Sequence, residues 1–174
     1  NMAVTFASAN TSTVAAVSIK GGAGDDTLTG NNSIDTISGG AGNDTLVASS
    51  GNDVYSGDAG NDTVSFTKTL LAANSGTTAT FDGGAGTDII LISDTAATIV
   101  DADFRGMSSF ETFTTNNGTN SITLAVDADG VGIKTINGGT GADTINASDI
   151  DFDNALTVTA GAGADSVQLN AANG

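Results

Sequence analysis

From Gly21 onward an apolar side chain returns every nine positions: Leu28, Ile37, Leu46, Tyr55 and Val64. Each sits at the centre of a three-residue segment, TLT, TIS, TLV, VYS or TVS. Such a segment predicts a short strand whose middle side chain alone points inward. A fixed period of this kind predicts stacked structural repeats rather than a globular core. The same place is held by Ile90, Ile145 and Val167 in three outlying copies. Elsewhere the pattern is looser. Ile122, Leu124 and Val126 alternate with polar residues, and Ile89 to Ile92 is a short apolar run, so both read as strands. Phe104, Met107, Phe110 and Phe113 recur at spacings of three, which predicts a short helical turn or a plug over the core, with Asp101 or Asp103 as N-cap. Val4, Phe6, Val14, Val17 and Ile19 predict one or two N-terminal strands that cover the first coil.

The residues between the apolar positions are as regular. Five consecutive nonapeptides run from 21 to 65: GGAGDDTLT, GNNSIDTIS, GGAGNDTLV, ASSGNDVYS and GDAGNDTVS. Three more stand apart, GGAGTDIIL at 83–91, GGTGADTIN at 138–146 and AGAGADSVQ at 160–168. Asp fills the sixth place in all of them: Asp26, Asp35, Asp44, Asp53, Asp62, Asp88, Asp143 and Asp165. Composition alone would give Gly-Gly-x-Gly-x-Asp roughly 0.05 times in such a chain. It occurs at 21–26, 39–44, 83–88 and 138–143, so chance is excluded. A flexible linker is excluded too, because linkers do not hold an apolar residue at a fixed offset from each Asp. Glycine lets the chain reverse within six residues and turns several carbonyls toward one point. The Asp adds a carboxylate there. Calcium takes six to eight hard oxygens of this mixed kind.

These nonapeptides resemble the RTX repeats, GGxGxDxUx. The resemblance implies an all-β chain folded as a right-handed parallel β-roll or β-helix solenoid with calcium-binding turns. It also implies that each nonapeptide is half a coil, so that repeats 18 residues apart stack. Asp26, Asp44 and Asp62 then line one edge, and Asp35 and Asp53 the other. Interloop calcium sites are expected at 26/44, 44/62 and 35/53, a fourth at 143/165, and a fifth at Asp88 with a less regular partner. The second and fourth repeats lack glycines of the pattern, so weaker sites are expected there, and Tyr55 is large for its inward place. Three regions are expected: a cap at 1–20, a calcium roll at 21–65, and a broader solenoid at 66–174 whose isolated calcium loops return near the end.

Charge sharpens the metal reading. The chain carries 20 acids against four bases, a formal charge of −16, and Glu111 is its one Glu. A skew to Asp suits short carboxylates held against turns. Three calcium ions take −16 to −10, and five take it to −6. Without metal, carboxylates stacked about 4.8 Å apart repel. Metal binding and folding are therefore expected to coincide in 21–65. Asp127 with Asp129, and Asp149 with Asp151 and Asp153, are further candidate cation clusters.

The same composition excludes several functions. Lys20, Lys68, Arg105 and Lys134 are scattered and form no basic patch for nucleic acid. Without His or Cys, Ser-His and Cys-His nucleophiles and ordinary zinc sites are excluded. No apolar run of membrane-spanning length exists, and residues 1–20 lack the basic start of a signal peptide. The ends read as those of a piece of a longer protein. The leading expectation is a non-enzymatic, secreted or cell-surface bacterial module that calcium rigidifies. It would belong to a surface layer, filament or adhesin and self-associate or meet a surface polysaccharide or protein. The resemblance also implies type I secretion. The alternatives are an accessory roll of a secreted protease, lipase or polysaccharide-modifying enzyme, and a lyase built on Arg105 beside Asp101 and Asp103.

Overall fold

The computed structural model describes residues 3–5, 15–74, 78–148 and 156–169. Phe6, Val14, Asp149, Asp151 and Asp153 lie outside the described residues. The first half runs β1 (Ala3–Thr5), β2 (Ser18–Ala23), β3 (Thr27–Thr29), β4 (Thr36–Ala41), β5 (Thr45–Val47), β6 (Val54–Ala59), β7 (Thr63–Phe66) and α1 (Lys68–Asn74). Next come β8 (Thr80–Asp82), β9 (Ile89–Ile92), β10 (Thr98–Ile99), a 3-10 helix at Asp101–Phe104, β11 (Met107–Ser108) and β12 (Thr112–Thr115). Last are β13 (Ser121–Thr123), α2 (Val126–Val131), β14 (Thr135–Asn137), β15 (Thr144–Ala147), β16 (Thr157–Thr159) and β17 (Ser166–Leu169).

Every strand pair is parallel. One sheet runs through the whole chain in the order β1-β3-β5-β7-β9-β12-β14-β16. A second, β2-β4-β6-β8-β11, faces it in the N-terminal half, and a third, β10-β13-β15-β17, takes over in the C-terminal half. The nine-residue period explains the opposed pair: alternate nonapeptides place their short strands in opposite sheets. The chain is thus a parallel β-roll solenoid, as the repeats imply.

Register makes columns of the inward residues. Leu28, Leu46, Val64, Ile90, Phe113, Ile136 and Val158 stack in the first sheet. Ile19, Ile37, Tyr55, Phe81 and Met107 stack in the second, and Ile99, Ile122, Ile145 and Val167 in the third. Nearly all are buried; Val167, in the last rung described, is 42% exposed. Tyr55 fits because coils beyond it are wider. Its ring stacks on Phe81 at 5.0 Å, and Phe66 meets Phe81 edge-on at 4.8 Å. The 18-residue spacing of the first rungs becomes 26 between Asp62 and Asp88, because α1 is inserted, and 23 between Asp88 and Glu111.

Two expectations change in the wider coils. The aromatic segment buries Phe104, Met107, Phe110 and Phe113, as a plug over the core would. Its 3-10 helix is capped at Val100, whose amide donates to Asp103 Oδ2 at 2.8 Å. Asp101 serves a different helix: its carboxylate accepts the amides of Ala125, Asp127 and Ala128. That cap ends the strand alternation at Leu124, so Val126 opens α2 and is 72% exposed. Asp127 pairs with Arg105 at 3.0 Å.

Phe113 joins the widened coils, fully buried and edge-on to Phe104 at 5.2 Å. Phe113→Ala is expected to cost roughly 3–5 kcal/mol at saturating calcium, by denaturant unfolding. A loss below about 1 kcal/mol would mean that the aromatic plug does not hold these coils.

Candidate metal centre

The turns take their shape from glycines at the second and fourth places. In the third repeat Gly40 and Gly42 adopt φ 113° and 131°, backbone that side chains rarely enter. The fifth repeat has Asp58 at its second place, with φ 71°. Hydroxyls of Ser38 and Ser56 hold its carboxylate, which, with Lys20 nearby, keeps it below the usual carboxylate range.

Each sixth-place carboxylate after the first spends one oxygen on the neighbouring rung. The amide of Asp26 donates to Asp44 Oδ1 at 2.8 Å, Asp44 to Asp62 at 2.7 Å, and Asp62 to Asp88 at 2.7 Å. Asp88 therefore continues the first ladder directly, despite its longer coil. The Asp88 amide then donates to Glu111 Oε2 at 3.0 Å. Glu111 lies on a shortened turn after Ser109, and its extra methylene spans the difference. Lys134, one rung on, lies 3.9 Å from Glu111 Oε1. The opposite edge carries Val17–Asp35–Asp53, by the same amide-to-carboxylate bonds at 2.8 and 2.9 Å. A third ladder runs Ala97–Asn120–Asp143–Asp165, at 2.9, 2.8 and 2.9 Å. The expected pairs 26/44, 44/62, 35/53 and 143/165 are thus all neighbours.

The second oxygen separates the ladders. Asp44, Asp62, Asp88 and Asp143 are at most 2% exposed, and their Oδ2 atoms have no hydrogen-bond partner. An unpaired buried carboxylate oxygen is costly unless something positive meets it. Beside each lies a carbonyl from the next rung. A Cβ added to Gly39 would strike Asp44 Oδ2 and the Gly57 carbonyl. One added to Gly57 would strike Asp62 Oδ2 and the Gly83 carbonyl, and one added to Gly138 would meet Asp143 Oδ2 and the Ala160 carbonyl. Gly21 stands in the same relation to Asp26 and the Gly39 carbonyl. Carboxylate and carbonyl oxygens converge where the glycine leaves space. That donor set suits a hard, oxygen-seeking cation and fits calcium.

Asp35 and Asp53 depart from this. Asp35 Oδ2 accepts the Asn31 amide at 2.6 Å. Asp53 Oδ2 accepts the Ser49 hydroxyl at 3.0 Å and the Tyr55 hydroxyl at 3.4 Å. Among the described residues, positive φ outside glycine is confined to Asp58, Ala96 and Ser109, so Asn31, Ser33 and Ser49 keep ordinary backbone. The missing glycines therefore change the turn as well as the donors. Asp165 is placed in its ladder but lies in the last rung described.

Sequence reasoning missed Glu111 and Asn120. Residues 115–123, TNNGTNSIT, form a ninth nonapeptide with Gly118 fourth, Asn120 sixth and Ile122 eighth. The signal was its position, 23 residues before Asp143.

Burial pushes Asp62 up to about 6, and the charges of Asp88 and Asp44 add to that. Burial likewise raises Asp44 and Asp88. The metal-free fold then binds more protons than the unfolded chain between about pH 4 and 6. Its stability falls as pH rises through that window. Circular dichroism in EDTA is expected to show β structure weakened at pH 7 and recovered toward pH 4.5. Excess calcium is expected to restore it at pH 7, and an EDTA spectrum equally strong at both pH values would count against the stacked carboxylates. Gly39→Ala, at a position without positive φ, is expected to cost roughly 1–3 kcal/mol and to weaken calcium binding in calorimetry. Unchanged binding would mean that this space is not part of the site.

The RTX calcium-binding nonapeptide repeat, in four copies, matches residues 16–32, 29–64 and 134–149. No curated protein and no solved structure matches the chain. The matched stretches hold the turns of Asp26, Asp35, Asp44, Asp53 and Asp62 and the Asp143 turn, and over those residues the chain carries the RTX calcium-binding nonapeptide repeat.

Proposed function

We propose that the chain is a calcium-dependent structural module of a secreted or cell-surface bacterial assembly, a surface layer, filament or adhesin. The observation that carries this is the row of buried carboxylate oxygens at Asp44, Asp62, Asp88 and Asp143, which at neutral pH call for a cation. Calcium held between rungs 26/44, 44/62, 62/88 and 143/165 would join each coil to the next. Extracellular calcium would fill such sites at affinities of about 10⁻⁴–10⁻³ M. At cytosolic calcium the stacked charges would keep the first rungs open, which suits export before folding. No helix among the described residues is long and apolar enough to cross a membrane.

The stack also supports assembly end to end. Val167 and Leu169 are exposed in the last described rung, whereas Ile145 and Ala147 in the rung beneath are buried. A rung from a second copy would cover them. The proposal assigns the chain no catalysis of its own; Arg105 pairs with Asp127 at 3.0 Å.

Electron microscopy with and without calcium tests the proposal. Ordered sheets or fibres are expected only with calcium. Monodisperse particles in both conditions would remove the structural role and leave the calcium-binding roll.

A further inference from the structure

Two turns outside the calcium-fitting set close on themselves. Asn120 is 1% exposed. Its Oδ1 accepts the Ala97 amide at 2.9 Å, which fixes the orientation of the side chain. Its Nδ2 then faces four oxygens: the carbonyls of Asn116 at 3.2 Å, Gly118 at 2.8 Å and Gly138 at 3.2 Å, and Asp143 Oδ1 at 3.0 Å. Three carbonyls and one carboxylate, drawn from two adjacent turns, are a cation's donor set with an amide nitrogen at its centre. The second turn does the same with a hydroxyl. A Cβ added to Gly30 would meet Asp35 Oδ2 at 2.5 Å and Ser49 Oγ at 2.8 Å. Ser49 Oγ thus occupies, beside Asp35, the place taken by the next rung's carbonyl beside Asp44 and Asp62. It donates to Asp53 Oδ2 and lies 3.0 Å from the Tyr55 hydroxyl, whose ring is anchored in the core.

We infer that Ser49 and Asn120 are built-in substitutes for calcium. The intervals 35/53 and 120/143 are closed by side-chain donors and take no metal, and calcium is confined to the 26/44/62/88 ladder and to 143/165. The edge opposite the first ladder, and the coils between Asp88 and Asp143, are then held without calcium, by these donors and by the aromatic core around Phe113. This rests on the calcium reading above, and it reverses the expectation of a site at 35/53.

Native mass spectrometry of the 174-residue chain, with calcium titrated to saturation, provides the test. Asp44→Asn is the control and is expected to lower the count of bound calcium. Asp53→Asn is expected to leave the count unchanged. Asn120→Asp replaces the donor by a carboxylate and is expected to bind one calcium more than the wild type. In EDTA, hydrogen exchange over residues 115–123 is expected to be slow in the wild type and fast in Asn120→Asp, with calcium restoring protection. A count that falls in Asp53→Asn, or does not rise in a folded Asn120→Asp, overturns the inference while leaving calcium binding intact. Should Asn120→Asp fail to fold even with calcium, the Asp53→Asn count and the wild-type exchange decide. A wild type that binds no calcium removes both readings.

Discussion

A carboxylate held between two rungs has two oxygens and only one backbone amide within reach. The amide of the rung before takes Oδ1, by the same bond at Asp44, Asp62, Asp88 and Asp143. Oδ2 is left inside the protein, beside the carbonyl of the rung after. Parallel stacking repeats this arrangement at about 4.8 Å, so the charge accumulates along the edge. The rest of the structure answers that constraint. Where the turn keeps its glycines, the space is open and suits a cation. Where it has lost them, a backbone amide or a side chain of the turn enters and supplies the proton donor itself.

The ends of the ladders follow the same rule. Glu111 ends the first ladder on a shortened turn, with the Lys134 ammonium on its far oxygen. Val17 and Ala97 begin the other two with amides that need no carboxylate of their own. Ammonium, amide and hydroxyl are weaker partners for oxygen than a divalent ion, but they are covalently present at any calcium concentration. A mixed chain can therefore keep some intervals closed while others wait for metal. The aromatic core reaches where that matters, since Tyr55 and Phe81 lie in the coils of the first calcium-fitting ladder and Phe113 in the coil that follows it.

Much of this was legible in the sequence because the period is rigid. A nine-residue repeat with Asp sixth and an apolar residue eighth fixes the strand and its inward residue, and the resemblance to RTX repeats implies the partner 18 residues away. The columns Leu28–Leu46–Val64 and Ile37–Tyr55 follow from that pairing, and the register bears them out. What could not be counted was the coil length after α1. Asp88 looks isolated because 26 residues separate it from Asp62, yet hydrogen bonding along the sheet brings it into line. Asn120 was hidden for a different reason: a neutral amide breaks a pattern defined by carboxylates, although it occupies the same rung.

The degenerate turns show why a motif match and a metal site are separate questions. Repeats two and four lie within the matched stretch, and both keep their Asp. The difference lies in places one to four, where Asn31, Ser33, Ala48 and Ser49 replace glycine. Those substitutions give Asp35 and Asp53 second partners of their own, so the carboxylate survives while its need for a cation does not. The sixth-place Asp is thus retained for two distinct reasons. At Asp44 and Asp62 it joins the rungs and also presents an oxygen to metal. At Asp35 and Asp53 it joins the rungs through Oδ1 and closes its own turn through Oδ2. An Asp in such a ladder is read correctly only from what faces its second oxygen.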